Sequence, residues 1–147
     1  MEDRLPRVDI HTDGSSIPNP GFGGWCAILQ HEQTRKIIAG GDERSTSNRM
    51  ELKAIEQGIS HCIIPCEIHV WTDSDNAIGW LTGNKRNVKE INDLCTSIEI
   101  KINSGGHLVT FHKVNAHSGV ELNDLADRLA RVEAEKFKRG QYCLTSL

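Results

Sequence analysis

Four carboxylates stand where a chain could use them for chemistry. Asp13 closes the alternating stretch VDIHTD and Asp73 closes EIHVWTD, while Glu51 and Asp127 lie in segments of helical spacing. If the two aspartate-ended segments are neighbouring parallel strands, both acids reach the carboxyl edge of one sheet, where open α/β folds hold their ligands. Each acid also has an ordinary reading. Asp13 with Gly14 is a turn signal, Asp73 a helix cap, Glu51 the partner of Asn48 in a capping box, and Asp127 an i,i+4 partner for Arg131. One at a time these ordinary readings are the stronger, and a role in chemistry depends on whether the four acids meet in space.

The remainder of the sequence must position those acids. Its 147 residues fit one domain with one core, 37% hydrophobic and 25% charged, and no run of about twenty apolar residues suggests a membrane span. MEDRLPR at the start carries charge without a following apolar run, so a secretory signal is not expected and the cytoplasm is the expected compartment. Cys26, Cys62, Cys66, Cys95 and Cys143 are odd in number and scattered, which reads as free thiols rather than a disulfide or zinc framework. A net charge of −3 offers no global field for a polyanion, so a nucleic acid would be held by local patches and metal ions.

Strands are expected over 7–13, 23–30 and 34–42, joined as an antiparallel meander. Leu52, Ile55, Ile59 and Cys62 then mark a helix over 48–62, ended by Pro65. A fourth strand spans 67–73, and Ser74 caps a helix through DNAIGWL. A helix over 88–103 presents Ile91, Leu94, Ile98 and Ile102 before the SGG stop at 104–106, and a fifth strand follows over 107–114. Ser118 and Glu121 are placed to cap a last helix with Leu122, Leu125, Leu129 and Val132 toward the core, while Ala126, Ala130 and Ala134 would permit a close approach. This order predicts a mixed sheet with helices packed on it.

Taken in order, TDGSSIPNPGFGGW, TSNRMEL, WTDS and HKVNAHSGVELNDLADRLA resemble the type 1 ribonuclease H family over nearly the whole chain. The resemblance implies an α/β fold with a five-stranded mixed sheet of order 3-2-1-4-5 and helices on both faces. It implies a single catalytic domain over 1–147, with its core at about 7–135 and a tail at 136–147. The implied activity is endonucleolytic cleavage of the RNA strand of an RNA–DNA hybrid by two divalent ions, physiologically Mg²⁺ with Mn²⁺ as a substitute, leaving 5′-phosphate and 3′-hydroxyl ends. The protein is expected to act as a monomer without a membrane partner.

By the same resemblance Asp13, Glu51, Asp73 and Asp127 are the metal ligands, Asp13 bridging, and His117 is the mobile catalytic histidine. Ser16, Asn19, Ser47 and Asn48 correspond to groups that read the 2′-hydroxyls, Thr46 to a phosphate-pocket position and Asn123 to an active-site asparagine. The chain departs from the family at Ser47, where Asn is common, and at Asp75, where Gln is common. Only Lys85, Arg86 and Lys89 remain where longer relatives carry a basic protrusion, the handle that grips the hybrid. Arg128, Arg131, Lys136, Lys138 and Arg139 offer either a substitute grip or a solvated helix face. The rival readings are a hybrid- or duplex-RNA-binding module without catalysis, and a DNA nuclease or resolvase of the wider superfamily.

Overall fold

The structure is a computed structural model that describes residues 4–115 and 121–140. Along the chain come β1 (Arg7–Ile17), β2 (Gly21–His31), β3 (Thr34–Ser45), α1 (Ser47–Ser60), β4 (Glu67–Thr72), α2 (Asp75–Leu81), α3 (Lys89–Gly105), β5 (Leu108–Lys113) and α4 (Glu121–Lys138). The strands form one sheet in the order 3-2-1-4-5. β1 to β3 make the antiparallel meander, and β4 and β5 add on in parallel.

Side chains alternate across a strand, so each strand divides its residues between two faces. Val8 and Ile10 of β1 with Ile68 and Val70 of β4 are covered by Leu52, Ile55 and Ile59 of α1 and by Ile91, Cys95 and Ile98 of α3. On the opposite face Cys26 and Ile28 of β2 meet Ala126 and Ala130 of α4. Helices therefore cover both faces, and burial of each large aliphatic side chain contributes about 1.5–3 kcal/mol. Among the described residues no helix is long and apolar enough to cross a membrane. Cys26, Cys66 and Cys95 are buried, Cys62 partly so, and all four are free thiols; burial pushes the Cys26 and Cys62 thiols up to about 12.

Three local expectations are corrected. β1 does not end at Asp13: it stays paired with β2 as far as Ile17 opposite Phe22, so Asp13 and Gly14 lie within a strand rather than a turn. The α1 cap is Thr46, whose hydroxyl accepts from the Arg49 amide at 3.2 Å, which places Asn48 and Glu51 inside the helix and removes the capping-box reading of Glu51. On α4 the alanines, not Val132, face the sheet: Ala126, Ala130 and Ala134 are fully buried and Val132 is 43% exposed. The Ser74 cap on α2 is as expected, its hydroxyl accepting from the Ala77 amide at 3.0 Å. Gly106, at φ +68°, ends α3 in the left-handed conformation that glycine tolerates. The expected Ser118 cap lies outside the described residues.

The alanine face has a specific cause. A Cβ built on Gly24 of β2 would sit 2.0 Å from the Ala130 carbonyl oxygen and 2.5 Å from the Ala134 amide nitrogen, so helix backbone rests directly on strand backbone. Neither side has a flexible group that can yield. Gly24→Ala is expected to lower stability by about 2–4 kcal/mol, measured by urea denaturation, because α4 must lift from the sheet.

Candidate active site

β1 and β4 pair in parallel only as far as His11 opposite Trp71. Beyond that register β1 continues with β2 alone while β4 ends at Thr72, and the two chains open into a cleft at the carboxyl edge. Asp13 and Asp73 flank this opening. A small cleft there is lined by Thr12, Asp13, Asp73, Val114, Asn115, Asn123, Asp124 and Asp127.

Glu51 reaches the same point from α1 because Gly14 has no side chain. A Cβ on Gly14 would lie 2.3 Å from the Glu51 amide nitrogen and 2.4 Å from the Met50 carbonyl carbon, so the first turn of α1 packs against bare strand backbone. One carboxylate oxygen each from Asp13, Glu51 and Asp73 then falls within 4.8 Å of the others. Asp127, on α4, lines the cleft, lies within hydrogen-bonding reach of Asp13 and forms an ion pair with Arg131 one turn on. Both readings of Asp127, helix ion pair and member of the acidic cluster, hold at once.

The electrostatics are those of a cluster awaiting positive charge. Burial, with Asp127 and Asp73 close by, raises the Asp13 carboxyl to about 8. Glu51 is raised well above its usual range by burial and then by Asp13 and Asp73. Its Oε1 is buried without a hydrogen-bond partner. A buried carboxylate oxygen with no donor is costly, and a cation held by these oxygens removes the cost. The residues present therefore fit a divalent metal.

The substrate-binding candidates gather beside the cluster, at the turn between β1 and β2 and the start of α1. Asn19 Oδ1 accepts from the Ser47 amide at 3.2 Å, and the Ser16 hydroxyl donates to the Pro18 carbonyl at 2.8 Å and sits 3.3 Å from the Ser45 carbonyl. Thr46 caps α1, and Asn48 Oδ1 accepts from Asn76 Nδ2 at 3.3 Å. Asn123 stands across the cleft on α4, its Nδ2 donating to the Trp71 carbonyl at 3.0 Å and its Oδ1 2.5 Å from His11 Nδ1. His117 lies outside the described residues.

A family model for RNase H matches residues 6–135. The chain belongs to the ribonuclease H family. It is 40% identical to the ribonuclease H of Caldicellulosiruptor saccharolyticus, over 86% of this chain and 95% of that one. To the ribonuclease H of Rhizobium etli it is 38% identical, over 93% and 97%. Its fold is similar to the N-terminal RNase H domain of a Mycobacterium tuberculosis protein, with a TM-score of 0.82 at 21% identity over 92% of this chain and 99% of that one. It is also similar to LC11-RNase H1, solved in complex with an RNA/DNA hybrid, with a TM-score of 0.74 at 18% identity over 88% and 97%. RNase H proteins are metal-dependent hydrolytic nucleases, and this chain, a nuclease of that family, holds an acidic cluster able to bind metal.

Two features of this RNase H were not read from its sequence. Asp124 lines the cleft as a further carboxylate, and its i,i+3 spacing from Asp127 places both on one helix face, which was the available signal. His11 is tied to Asn123, a link across 112 residues that no local pattern announces. The Asp75 departure has a local partner, since its Oδ1 lies 2.9 Å from Lys113 Nζ on β5.

The raised Asp13 carboxyl sets a sign for pH dependence. Its folded pKa lies above its unfolded value near 4, so its contribution is fully present below pH about 4 and is lost as pH rises toward 8. Metal-free protein is expected to lose stability across that window. Asp13→Asn should flatten the slope and add about 2 kcal/mol at pH 8 in chelator, measured by denaturant unfolding at pH 5 and pH 8.

Proposed function

We propose that this RNase H hydrolyses the RNA strand of RNA–DNA hybrids as an endonuclease. The observation that carries the reading is the buried, unpartnered Glu51 Oε1 beside Asp13 and Asp73 at the sheet edge of an RNase H family member. The hybrid bound by LC11-RNase H1, a relative in fold, supports the substrate class.

Asp13, Glu51, Asp73 and Asp127 would hold two divalent ions, Mg²⁺ with Mn²⁺ as a substitute, Asp13 contributing to both. When bound, such ions polarise the scissile phosphate, ease deprotonation of the attacking water and stabilise the charge on the leaving oxygen. The bond formed joins water oxygen to phosphorus and the bond broken is phosphorus to O3′, which leaves 5′-phosphate and 3′-hydroxyl ends. His117, placed by sequence ten residues before Asp127, handles the proton on the leaving or attacking oxygen and assists product departure.

Ser16, Asn19, Ser47 and Asn48 present small polar groups and backbone atoms to the minor groove, where the 2′-hydroxyl distinguishes RNA from DNA. Thr46 lies at the start of α1 and takes a phosphate, while Asn123 orders the far wall of the cleft. The whole forms one catalytic domain, with 7–135 as its core.

The test is incubation of the purified chain with labelled RNA–DNA hybrid, duplex RNA and duplex DNA in Mg²⁺, Mn²⁺ or chelator. Cleavage restricted to the RNA of the hybrid and abolished by chelator is expected; cut DNA, or hybrid intact in every metal, overturns the reading. Asp13→Asn should lower turnover at least about 10³-fold while hybrid binding is retained, since one repelling charge is gone. His117→Ala should lower kcat by about 10²-fold with little change in KM, read from single-turnover and steady-state kinetics.

A further inference from the structure

α4 lies over β1, β2 and β3. Among the described residues it leaves the same face of β4 and β5 without a packed helix. That face carries three rows across the sheet: Arg7, Glu67 and Leu108; Asp9, His69 and Thr110; His11, Trp71 and His112. Such a polar, histidine-bearing face is not needed to fill a core, and its members are locked to one another. Trp71 donates its indole N–H to Asp9 Oδ1 at 2.9 Å and stacks on His112 at a centroid distance of 4.1 Å. His69 Nδ1 stands 2.7 Å from His112 Nε2, and His69 Nε2 stands 2.6 Å from Glu67 Oε2.

The proton positions follow from these contacts. The Glu67 carboxylate can only accept, so His69 carries its proton on Nε2 and turns the Nδ1 lone pair toward His112. His112 then donates its Nε2 proton to that lone pair. Two ring nitrogens on adjacent strands thus point at one another, one held in its tautomer by a carboxylate, which is the outer arrangement that orients metal-ligating histidines.

We infer that His69 and His112 form a second, transition-metal site on the β4–β5 face, distinct from the carboxylate cluster and suited to Ni²⁺, Cu²⁺ or Zn²⁺ rather than Mg²⁺. Imidazole nitrogen selects these borderline ions, whereas the hard oxygens at the sheet edge select Mg²⁺ or Mn²⁺. Entry of the ion shifts the His112 proton from Nε2 to Nδ1, so no net proton is released from the neutral pair. At metal–nitrogen distances near 2.0–2.1 Å, tetrahedral ligands lie about 3.3 Å apart, and the rings part by about 0.6 Å from their present contact. Waters complete the shell. Partial burial, then His69 and Arg7, hold His112 below its usual pKa, which favours the neutral ring with one nitrogen lone pair free for a metal.

The test is an NMR titration of histidine ring protons in the intact chain with substoichiometric Ni²⁺ in excess Mg²⁺. His69 and His112 are expected to broaden first and together. In parallel calorimetry with Ni²⁺, Glu67→Gln should weaken this binding about 10-fold and His112→Gln should remove one equivalent, while Mg²⁺-dependent cleavage is unchanged. Broadening that begins at other histidines and leaves these two sharp, no broadening at all, or identical calorimetric isotherms for the wild type and both variants would overturn the site.

Discussion

Asp13, Glu51 and Asp73 are brought within 4.8 Å of one another at the sheet edge, the first two of them buried from water, and nearly every other choice in the fold is subordinate to that contact. The cluster is unfavourable on its own terms: burial and like charge both oppose ionisation, and one Glu51 oxygen lacks any donor. It persists because each acid is anchored by an element whose own packing is favourable. Asp13 is fixed by strand pairing on one side, Asp73 by the end of a strand whose Ile68 and Val70 are fully buried, and Glu51 by a helix whose Leu52, Ile55 and Ile59 lie in the core beneath the sheet. The cost is thus carried by the apolar face, and a cation held by these oxygens would relieve it.

Two absent side chains make the convergence possible. Gly14 admits the backbone of α1 to within contact of β1, and Gly24 admits the backbone of α4 to β2. The first brings Glu51 in from one layer, the second brings Asp127 in from the other. Arg131 pairs with Asp127 without lining the cleft. Glycine here serves close approach, not turn formation, and that distinction explains why a strand was extended where a turn was expected.

How much of this was legible follows from the range over which each signal acts. Apolar patterning located the strands and the longer helices, and the Ser74 cap located α2, because these are local signals, although β1, β2 and β3 run beyond the expected bounds. The strand order was legible because whole motifs match the RNase H family in sequence, and the same match pointed to four acids of which Asp13, Glu51 and Asp73 come within 4.8 Å of one another while Asp127 lines the cleft. The Asp-Gly turn, the Glu51 capping box and the inward-facing Val132 were misread because each is a sound local rule overridden by a tertiary neighbour: β2 opposite β1, Thr46 as the better cap, and strand backbone that leaves room only for alanine. The His11 to Asn123 link and the histidine rows of β4 and β5 were not legible at all, since they depend on register between strands distant in sequence.

The basic side chains that could replace a protrusion are largely committed to partners of their own. α2 and α3 are joined by only a few residues, and Arg86 in that connection is committed to Glu99 and the Trp80 carbonyl, while Lys89 pairs with Asp93. Along α4 and just past its end, Arg131, Lys136 and Arg139 are paired with Asp127, Glu133 and Glu135. Charge that is already paired contributes little to phosphate binding, because the existing partner must be displaced first. The paired cations therefore contribute little to holding a nucleic acid, which leaves the polar groups around the start of α1 as the contacts proposed above.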